Sequence, residues 1–347
     1  MPRLRRVDCS GPGITRRRHG RGFVYLDATG ERIRNAELID RLKGLGIPPA
    51  WREVWICPDA QGHLQAVGTD AAGRKQYLYH EVWRARRDQE KFDHMLDFAE
   101  SLPAMRSITL RHLKRDGQPR EKTLGLAVRL LDRGFFRIGT EGYAEQNESY
   151  GLATITKKHV AIKDDEVIFD YRSKGGQRRI WSTVDPLMLE VIASLKQRRG
   201  GGPELLAYKD KRLWRDVKST DINDYVREIS GGDFTAKDFR TWGATVLAAV
   251  GLGASGHAPA SSSARKKAIV RAVKEVAHYL GNTPAVCRAS YIDPRVFDRY
   301  LSGWTISLDA IGDSARLGEV ATQGPIEAAV VDLIEDRQKS PALEKIA

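Results

Sequence analysis

The hydrophobic pattern of this chain changes its period near Glu81, and this change limits the folds that the chain can adopt. Up to residue 80, apolar residues occur in short alternating runs that are typical of strands. From Glu81 onward they recur at the spacing of an amphipathic helix, as at Phe92, Met95 and Phe98. The sequence therefore predicts an α+β protein. A small antiparallel β-sheet domain, residues 1–88, precedes a larger, mainly helical domain, residues 89–347.

In the first domain the pattern predicts a few strands and one helix. The strands cover residues 23–26, 53–57, 63–67 and 74–80, and the helix lies near residues 35–45. The first of these strands leads into a hairpin turn at Asp27-Ala28-Thr29-Gly30, after which another strand is expected.

In the second domain a patch of three strands interrupts the helices. These strands lie near residues 160–162, 167–171 and 180–184. Ser173-Lys174-Gly175-Gly176-Gln177 has the composition of a hairpin tip between the last two. Residues 253–263 are rich in Ser, Ala, Gly and Pro and are predicted to form a mobile loop.

The chain carries an excess of positive charge, which favours a polyanionic partner. It has 57 Lys and Arg residues against 45 Asp and Glu, a formal net charge of +12, and 38 of its cations are arginines. A planar guanidinium group suits phosphate oxygens, so the excess indicates phosphate and, most commonly, nucleic acid. The arginines before residue 22 are expected to form either a basic arm near DNA or a solvated tail.

Cysteine usage and hydropathy predict a reducing, cytoplasmic environment. Cys9, Cys57 and Cys287 are far apart and do not have the spacing of a zinc site or a disulfide framework. No apolar run approaches the length of a transmembrane helix. The N-terminal region lacks the apolar stretch of a secretory signal.

Tyr291 is predicted to lie at the end of a short helix between two others. The preceding helix has an apolar face and ends at Gly281, and Thr283-Pro284 supplies the N-cap and first turn of the next. Asp293-Pro294 begins a further helix. The apolar faces of the two flanking helices are Ile269, Val273, Val276 and Leu280, and Val296, Phe297, Tyr300 and Leu301. The Tyr291 hydroxyl group can then reach a ligand, although a single tyrosine is more often a packing residue.

Four other residues occur in settings that favour contact with a phosphate. Lys174 lies on the glycine-flanked tip, where a flexible amine can deliver a proton to a leaving oxygen. Arg137 and Arg240 are flanked by bulky apolar residues, and a charge in such surroundings is usually paired or functional. Asn282 either caps the helix that ends at Gly281 or donates a hydrogen bond. Taken singly, each of the four also fits a structural role.

Two common means of activating phosphates are absent from the sequence. It contains no G-x-x-x-x-G-K-[ST] motif, so a P-loop is excluded, and its eight histidines lack metal-binding spacing. Phosphoryl chemistry would have to be stabilised by Arg, Lys and Asn side chains. A tyrosine with two arginines, a lysine and a hydrogen-bond donor suffices for phosphodiester transesterification without a cofactor.

From about residue 20 to about residue 305 the chain resembles the short type IB DNA topoisomerases of bacteria and poxviruses. The resemblance is carried by Gly73-Arg74-Lys75-Gln76-Tyr77-Leu78-Tyr79-His80, Phe136-Arg137-Ile138-Gly139, Asn147-Glu148-Ser149-Tyr150-Gly151-Leu152, Lys174-Gly175-Gly176, Lys237-Asp238-Phe239-Arg240-Thr241-Trp242, Leu280-Gly281-Asn282-Thr283-Pro284 and Cys287-Arg288-Ala289-Ser290-Tyr291-Ile292. It implies a monomer whose two domains close as a C-shaped clamp on duplex DNA in the nucleoid. It also implies relaxation of supercoils without ATP or metal.

The resemblance also implies a role for each site residue. Tyr291 would be the nucleophile that forms a 3′-phosphotyrosyl bond. Arg137 and Arg240 would bind the non-bridging oxygens, and Lys174 would protonate the leaving 5′-oxygen. In the first domain, Gln76, Tyr77 and Tyr79 match positions that face the major groove and the DNA backbone. The adjacent Arg74 and Lys75 are expected to bind DNA with them.

The chain departs from the family pattern in two places. Asn282 stands where many members have histidine, and Cys287-Arg288-Ala289-Ser290-Tyr291 replaces the familiar S-K-x-x-Y. Asparagine still donates a hydrogen bond but cannot titrate, so the first departure affects the rate and its pH dependence and leaves the reaction class unchanged.

Two alternatives remain open on the sequence. A tyrosine recombinase has a similar set of residues but usually carries H-x-x-R, where this chain has Lys237 and Arg240, and it lacks the N-terminal sheet domain. A non-enzymatic DNA-binding protein would share the positive charge but would not need the complete catalytic set.

Overall fold

The change of hydrophobic period coincides with the start of a long helix, α2, at Glu81–Leu113. The computed structural model describes residues 3–255, 261–311 and 323–346. The chain divides into two compact units, Met1–Lys91 and Phe92–Ala347. A β-sheet dominates the first unit, and helices dominate the second.

Antiparallel strands form the sheet of the first unit. They are β1 Ile14–His19, β2 Gly22–Leu26, β3 Arg52–Ile56, β4 Leu64–Thr69 and β5 Lys75–Tyr79, in the order β2-β1-β3-β4-β5 across the sheet. Helix α1, Ala36–Gly44, begins where Asn35 Oδ1 accepts a 2.8 Å hydrogen bond from Leu38 N. The small core consists of Ile14, Tyr25, Leu42, Ile47, Val54, Ile56 and Ala66.

Strand β1 corrects the prediction made for the arginines before residue 22. Arg16, Arg17 and Arg18 belong neither to a free basic arm nor to a solvated tail, because β1 pairs with β2 and β3. The guanidinium group of Arg16 donates to the carbonyl oxygens of Ile47 and Pro48, both at 2.8 Å. A run of arginines has no apolar alternation, so the sequence pattern did not indicate β1.

The turn predicted at residues 27–30 is present, because Gly30 N donates to the Asp27 carbonyl oxygen at 3.0 Å and Leu26 and Arg32 form an antiparallel bridge across it. The strand expected after Gly30 is reduced to this single bridge.

The second unit consists mainly of helices, as predicted. After α2 they are α3 Arg120–Gly134, α4 Glu141–Asn147, α5 Pro186–Gln197, α6 Ser219–Ser230, α7 Ala236–Gly253, α8 Ser262–Leu280, α9 Pro284–Ser290, α10 Pro294–Leu301, α11 Leu308–Ile311 and α12 Pro325–Ile334. The predicted three-stranded sheet is present in the order β6-β7-β8, with β6 Val160–Lys163, β7 Glu166–Arg172 and β8 Arg178–Thr183. The α+β fold class is therefore confirmed.

Two antiparallel strand pairs complete this unit. β9 Ala207–Asp210 pairs with β10 Leu213–Asp216, and β11 Trp304–Ile306 pairs with β12 Leu343–Lys345. The second pair joins the chain after α10 to its last described residues. Helix α12, between these two strands, buries Ala329, Val330, Leu333 and Ile334.

The helices around Tyr291 follow the sequence prediction closely. The predicted apolar face of α8 is buried, and α9 begins at the N-cap Thr283. In α10, Val296, Phe297 and Tyr300 are buried, but Leu301 is 38% exposed, so its predicted burial is wrong. In the predicted loop at 253–263, α7 continues to Gly253 and α8 begins at Ser262, while residues 256–260 lie outside the described residues.

Among the residues that the structure describes, no helix combines the length and the apolarity that crossing a bilayer requires.

Candidate active site

The structure brings Arg137, Arg240, Asn282 and Tyr291 together in the second unit. Arg137 Nη2 donates to the carbonyl oxygen of Gly281 at 2.6 Å and also to Asn282 Oδ1. The guanidinium carbon of Arg240 lies 5.4 Å from the centroid of the Tyr291 ring. Both Arg240 and Asn282 hydrogen-bond the Tyr291 side chain. Arg137 and Tyr291, the first and last of the four, are 154 positions apart in sequence. The four residues therefore come together only through the fold.

Arg137 is positioned by the close approach of two backbone segments. Leu152 N donates to the Arg137 carbonyl oxygen and Ala153 N to that of Ile138, both at 2.8 Å. Between these bonds the backbones of Gly139 and Gly151 touch, since a Cβ on Gly139 would lie 2.6 Å from Gly151 Cα. A contact this close admits no side chain on either residue. It explains why two separate glycine-containing motifs accompany Arg137 in the sequence.

The C-terminus of α8 holds both arginines. Arg240, which is buried in α7, donates from Nη2 to the carbonyl oxygen of Leu280 at 3.0 Å and from Nη1 to that of Phe135. Arg137 uses the next carbonyl, that of Gly281. The last carbonyls of a helix have no partner inside it and carry a partial negative charge, so they are suitable acceptors for cations. The end of α8 thus fixes two guanidinium groups beside Asn282.

The backbone of Tyr291 is fixed by helix α7. Tyr291 ends helix α9, and its N–H donates to the Cys287 carbonyl oxygen at 3.0 Å. Its own carbonyl oxygen accepts a 3.3 Å hydrogen bond from Thr245 Oγ1, which in turn accepts one of 3.1 Å from Asp293 N. Because α7 also carries Arg240, one helix sets the distance between the arginine and the tyrosine.

A third arginine, Arg179 of strand β8, lies beside the four residues described above. Together, Arg137, Arg179, Arg240, Asn282 and Tyr291 form the active-site cluster. Its Nη2 donates to the Gly134 carbonyl oxygen at 2.7 Å. A Cβ built on Gly281 would lie 3.5 Å from Arg137 Nη1 and 3.8 Å from Arg179 Nη1, so both groups converge in front of Gly281. Gln177 Oε1 lies 3.7 Å from the same point. Sequence reasoning missed Arg179, Gln177 and Thr245, because nothing local distinguishes them.

No carboxylate among the described residues neutralises these three arginines. Within the described part of the chain, no Asp or Glu oxygen comes within 4.0 Å of a guanidinium nitrogen of Arg137, Arg179 or Arg240. Arg137 Nη1, Arg179 Nε and Arg240 Nε are buried, and none has a hydrogen-bond partner among the described residues. Uncompensated buried charge is costly, so the cluster is suited to an anionic ligand such as a phosphate group.

The cluster changes the ionisation of Tyr291 in the direction that a nucleophile needs. Burial raises the pKa of Tyr291, but the charge of Arg240 and hydrogen bonds from Arg240 and Asn282 outweigh it, and Arg137 adds to their effect. The net pKa of Tyr291 therefore lies below the usual tyrosine value. Burial and the charge of Arg137 lower the pKa of Arg240 to about 10, which leaves the guanidinium group charged at neutral pH.

Lys174 lies on the exposed tip between β7 and β8, as predicted from the sequence. Gly175 and Gly176, which follow it, both have positive φ angles, 82° and 74°, that favour glycine. Gln177 lies in the same turn and Arg179 near the start of β8, so this end of the hairpin reaches the cluster. The structure places Lys174 on an element of the site and leaves its catalytic role a prediction.

The predicted DNA-binding residues of the first unit lie on or beside strand β5. Lys75, Tyr77 and Tyr79 alternate on its exposed face, and the two tyrosine rings stack at 6.2 Å. Arg74 and Gln76 are oriented differently, because both donate to Asp70 Oδ2 at 2.9 Å. The hydrogen bonds from the Arg74 backbone and side chain lower the pKa of Asp70 to about 2, so it stays an anion. Arg74 therefore already has a carboxylate partner, whereas Lys75 is placed with the tyrosines.

Among the described residues, no group of three or more His, Cys, Asp or Glu side chains is arranged to hold a metal ion.

Two family models match the chain. Residues 80–301 match "Eukaryotic DNA topoisomerase I, catalytic core", and residues 22–70 match "Bacterial DNA topoisomerase IB, N-terminal domain". The first match covers most of the second unit and contains every residue of the cluster. Both matches are to DNA topoisomerases of type I, and the second specifies the IB subtype.

Curated relatives agree with these matches. DNA topoisomerase 1B of Acanthamoeba polyphaga mimivirus is 32% identical over 288 residues, which are 81% of this chain and 85% of the relative. DNA topoisomerase 1B of vaccinia virus (strain Copenhagen) and DNA topoisomerase I of monkeypox virus are each 20% identical over 252 residues, 72% of this chain and 75% of each relative. The chain belongs to the type IB DNA topoisomerase family. The two alternatives that the sequence left open, a recombinase and a non-enzymatic DNA-binding protein, are thereby disfavoured.

Proposed function

We propose that this chain relaxes supercoiled duplex DNA by breaking and rejoining one strand through Tyr291. The observation that carries the proposal is a cluster of three arginines, which no described carboxylate pairs with, beside a tyrosine of lowered pKa. An anion-binding site adjacent to a nucleophile is what an attack on a phosphodiester requires. The family membership of the chain supports DNA as the source of that phosphodiester.

In the proposed reaction the oxygen of Tyr291 attacks the scissile phosphorus and loses its proton to solvent. The bond between phosphorus and the 5′-oxygen breaks, and Lys174 supplies the proton that makes this oxygen a hydroxyl group. The DNA is left joined to Tyr291 through a 3′-phosphotyrosyl bond. Attack by the 5′-hydroxyl group reverses each step. Because the covalent bond conserves the free energy of the broken one, religation needs no ATP.

Arg137 and Arg240 act on the non-bridging oxygens in this proposal. Charge accumulates on these oxygens in the transition state, and prearranged guanidinium groups stabilise it at little reorganisation cost. Arg137 Nη1 and Arg240 Nε, which are buried and have no hydrogen-bond partner among the described residues, are available for that role. Asn282, which contacts both Arg137 and Tyr291, is placed to add a neutral hydrogen bond.

Residues 1–88 are proposed to act as the second half of a clamp on the duplex, and the protein to act as a monomer at the nucleoid. The support comes from the exposed Lys75, Tyr77 and Tyr79 on β5 and from the match to a type IB N-terminal domain. Lysine and tyrosine side chains of this kind contact DNA phosphates and base edges. With a net charge of +12, binding is expected to weaken steeply as salt is raised.

A relaxation assay tests the proposal. Purified protein is incubated with negatively or positively supercoiled plasmid in excess EDTA and without nucleotide. Relaxation of both plasmids is expected, since Arg, Lys and Asn side chains carry the stabilisation in this mechanism. A requirement for magnesium or ATP would contradict it. Tyr291→Phe serves as the control for contaminating activity.

A further inference from the structure

The chain continues beyond the family catalytic core, whose match ends at residue 301. The described part of this continuation is folded onto the second unit. β11 and β12 pair with each other, and α12 buries an apolar face between them. Glu327, in the first turn of α12, joins this continuation to the rest of the unit through polar contacts.

Glu327 accepts hydrogen bonds from three directions. Arg106 of helix α2 donates to it twice, from Nη1 at 2.5 Å and from Nη2 at 2.9 Å. The indole N–H of Trp242 donates to its Oε1 at 2.8 Å, and Gly324 N to its Oε2 at 3.0 Å. One carboxylate therefore links α2, α7 and α12.

The same arginine extends the network to helix α3. Arg106 donates to Asp132 from Nε at 2.9 Å and from Nη2 at 2.8 Å, so its guanidinium group bridges two carboxylates. Gln323, just before α12, also donates to Asp132 Oδ2 at 2.8 Å. Bidentate arginine–carboxylate pairs hold both partners in a fixed orientation. These pairs are also largely screened from solvent, since the side chain of Asp132 is 11% exposed and that of Glu327 is 13% exposed.

The two core helices in this network each lead to an arginine of the candidate site. Asp132 lies near the end of α3, five residues before Arg137. Trp242 lies in α7, two residues after Arg240. Trp242 and Arg240 are both 3% exposed, so neither can shift without displacing its neighbours. The packing of α3 against α7 therefore helps to set how far apart the backbones of Arg137 and Arg240 lie.

We propose that Glu327 is a positioning residue for DNA cleavage. It holds helices α3 and α7 in place through Arg106, Asp132 and Trp242. As a result, Arg137 and Arg240 contact the scissile phosphate at the same time. The segment after α10 then forms part of the catalytic apparatus without touching DNA. The inference rests on the proposed roles of Arg137 and Arg240. It assigns a function to residues that lie outside the family core.

The test compares Glu327→Gln with the wild-type protein in single-turnover cleavage at saturating DNA. The variant keeps the shape of the side chain but removes the charge that pairs with Arg106. Cleavage is expected to slow by about 10-fold to 100-fold, the scale of a misplacement near 1 Å. The dissociation constant for DNA is expected to stay unchanged, because Glu327 contributes no DNA contact. Glu327→Asp keeps the charge but shortens the reach, and an intermediate rate is expected.

A second substrate separates positioning from general stabilisation. DNA with a methylphosphonate at the scissile position has one neutral substituent in place of a charged non-bridging oxygen, so its cleavage depends less on the arginines. The ratio of wild-type to Glu327→Gln rates is expected to shrink on this DNA. An equal ratio on both substrates, or a wild-type rate for Glu327→Gln and Glu327→Asp on ordinary DNA, would overturn the proposal.

Two controls complete the design. Asp224→Asn removes the charge that pairs with Arg227 on the exposed side of α6, where the two side chains are 66% and 43% exposed, and should leave both rates unchanged. Thermal unfolding of each variant shows that it is folded at the assay temperature. Failure of the proposed function would look different, since wild-type protein would then form no adduct that depends on Tyr291.

Discussion

Arg240 and Tyr291 share a hydrogen bond and a favourable charge interaction, and this pair decides at which pH the nucleophile is ionised. A cation beside a phenol stabilises the phenolate, so the pKa of Tyr291 falls below its usual value. The cleavage rate is therefore expected to rise with pH and to level off as Tyr291 loses its proton. Removing the cation should raise this pKa and move the rise to higher pH.

Single-turnover cleavage measured as a function of pH checks this prediction with Arg240→Gln. The matched control is Arg179→Gln, a second arginine of the cluster that is not among the main groups acting on the Tyr291 pKa. Arg179→Gln is expected to slow cleavage without changing the pH at which the rate reaches half of its maximum, the midpoint of the pH profile. If the midpoint is the same for wild type and Arg240→Gln, the arginine does not set the ionisation of the nucleophile.

Asn282 connects the two halves of the site, because it accepts from Arg137 and hydrogen-bonds Tyr291. Losing one donor at a developing oxyanion typically slows a reaction by about 10²-fold to 10³-fold, and the two arginines should reduce that loss here. Asn282→Ala is expected to slow cleavage and religation while DNA binding is retained, and Asn282→His to keep substantial activity. Quench-flow rates with a filter-binding control measure both effects. Near-wild-type cleavage by Asn282→Ala would reduce Asn282 to a helix-capping residue.

At the residue scale, the sequence predicted those members of the cluster that lie in a recognisable local motif. It missed Arg179, which does not lie in such a motif. Arg137, Arg240, Asn282 and Tyr291 each occur in a short pattern that the family resemblance could identify. Arg179 lies within the strand after the hairpin tip and becomes significant only because β8 runs beside Gly281. Long-range convergence of this kind has no local sequence signal.

The hairpin formed by β7 and β8 is the element on which the proton transfer depends. Arg179, near the start of β8, fixes the turn end of the hairpin at the cluster, and the tip carries Lys174 before two glycines with positive φ. An alkoxide is a poor leaving group, so loss of its proton donor is expected to slow cleavage by about 10²-fold to 10⁴-fold. DNA with sulfur in place of the bridging 5′-oxygen needs no such donor.

Lys174→Ala is therefore expected to cleave the sulfur substrate far better than the oxygen substrate. Arg137→Ala and Arg240→Ala should show much less rescue, because their proposed work is on the non-bridging oxygens. Cleavage rates on both substrates, measured under the same conditions, give the comparison. If Lys174→Ala is equally slow on the two, Lys174 only positions or neutralises the phosphate.

At the element scale, the predictions succeeded where caps and apolar periodicity coincide and failed where charge replaces them. Helix α9 was located by Thr283-Pro284 alone, and its N-cap forms as expected. Strand β1 was missed because Arg16, Arg17 and Arg18 interrupt its pattern. In the structure these arginines are part of the sheet, with Arg16 stacked 4.1 Å from the centroid of the Phe23 ring.

At the scale of the whole molecule, the proposed clamp assigns part of the DNA affinity to the first domain and the cleavage reaction to the second. All the cluster residues lie after residue 88, whereas Lys75, Tyr77 and Tyr79 precede it. A fragment of residues 89–347 is expected to bind duplex DNA more weakly and to leave it sooner, but to keep some cleavage. Affinity and processivity of plasmid relaxation, measured over a series of salt concentrations, check this. Undiminished processive relaxation by the fragment would contradict the clamp.

The fold class followed from a property of the whole sequence, the change of period near Glu81. Periodicity reports which face of an element is buried, and that information survives in a single sequence. The role of the chain after Tyr300 could not be predicted, because contacts such as that between Glu327 and Trp242, which are 85 positions apart, leave no local sequence signal.

Covalent capture of DNA is the most direct test of whether Tyr291 is the nucleophile. Wild-type protein and Tyr291→Phe are incubated with end-labelled duplex, denatured rapidly and separated on a denaturing gel, and the labelled peptide is mapped. We expect the wild-type protein to form a 3′-linked adduct on the peptide that contains Tyr291 and Tyr291→Phe to form no adduct. Both proteins should bind the duplex with similar affinity. An adduct formed by Tyr291→Phe, or one mapped to a different tyrosine, would contradict the assignment of Tyr291 as the nucleophile.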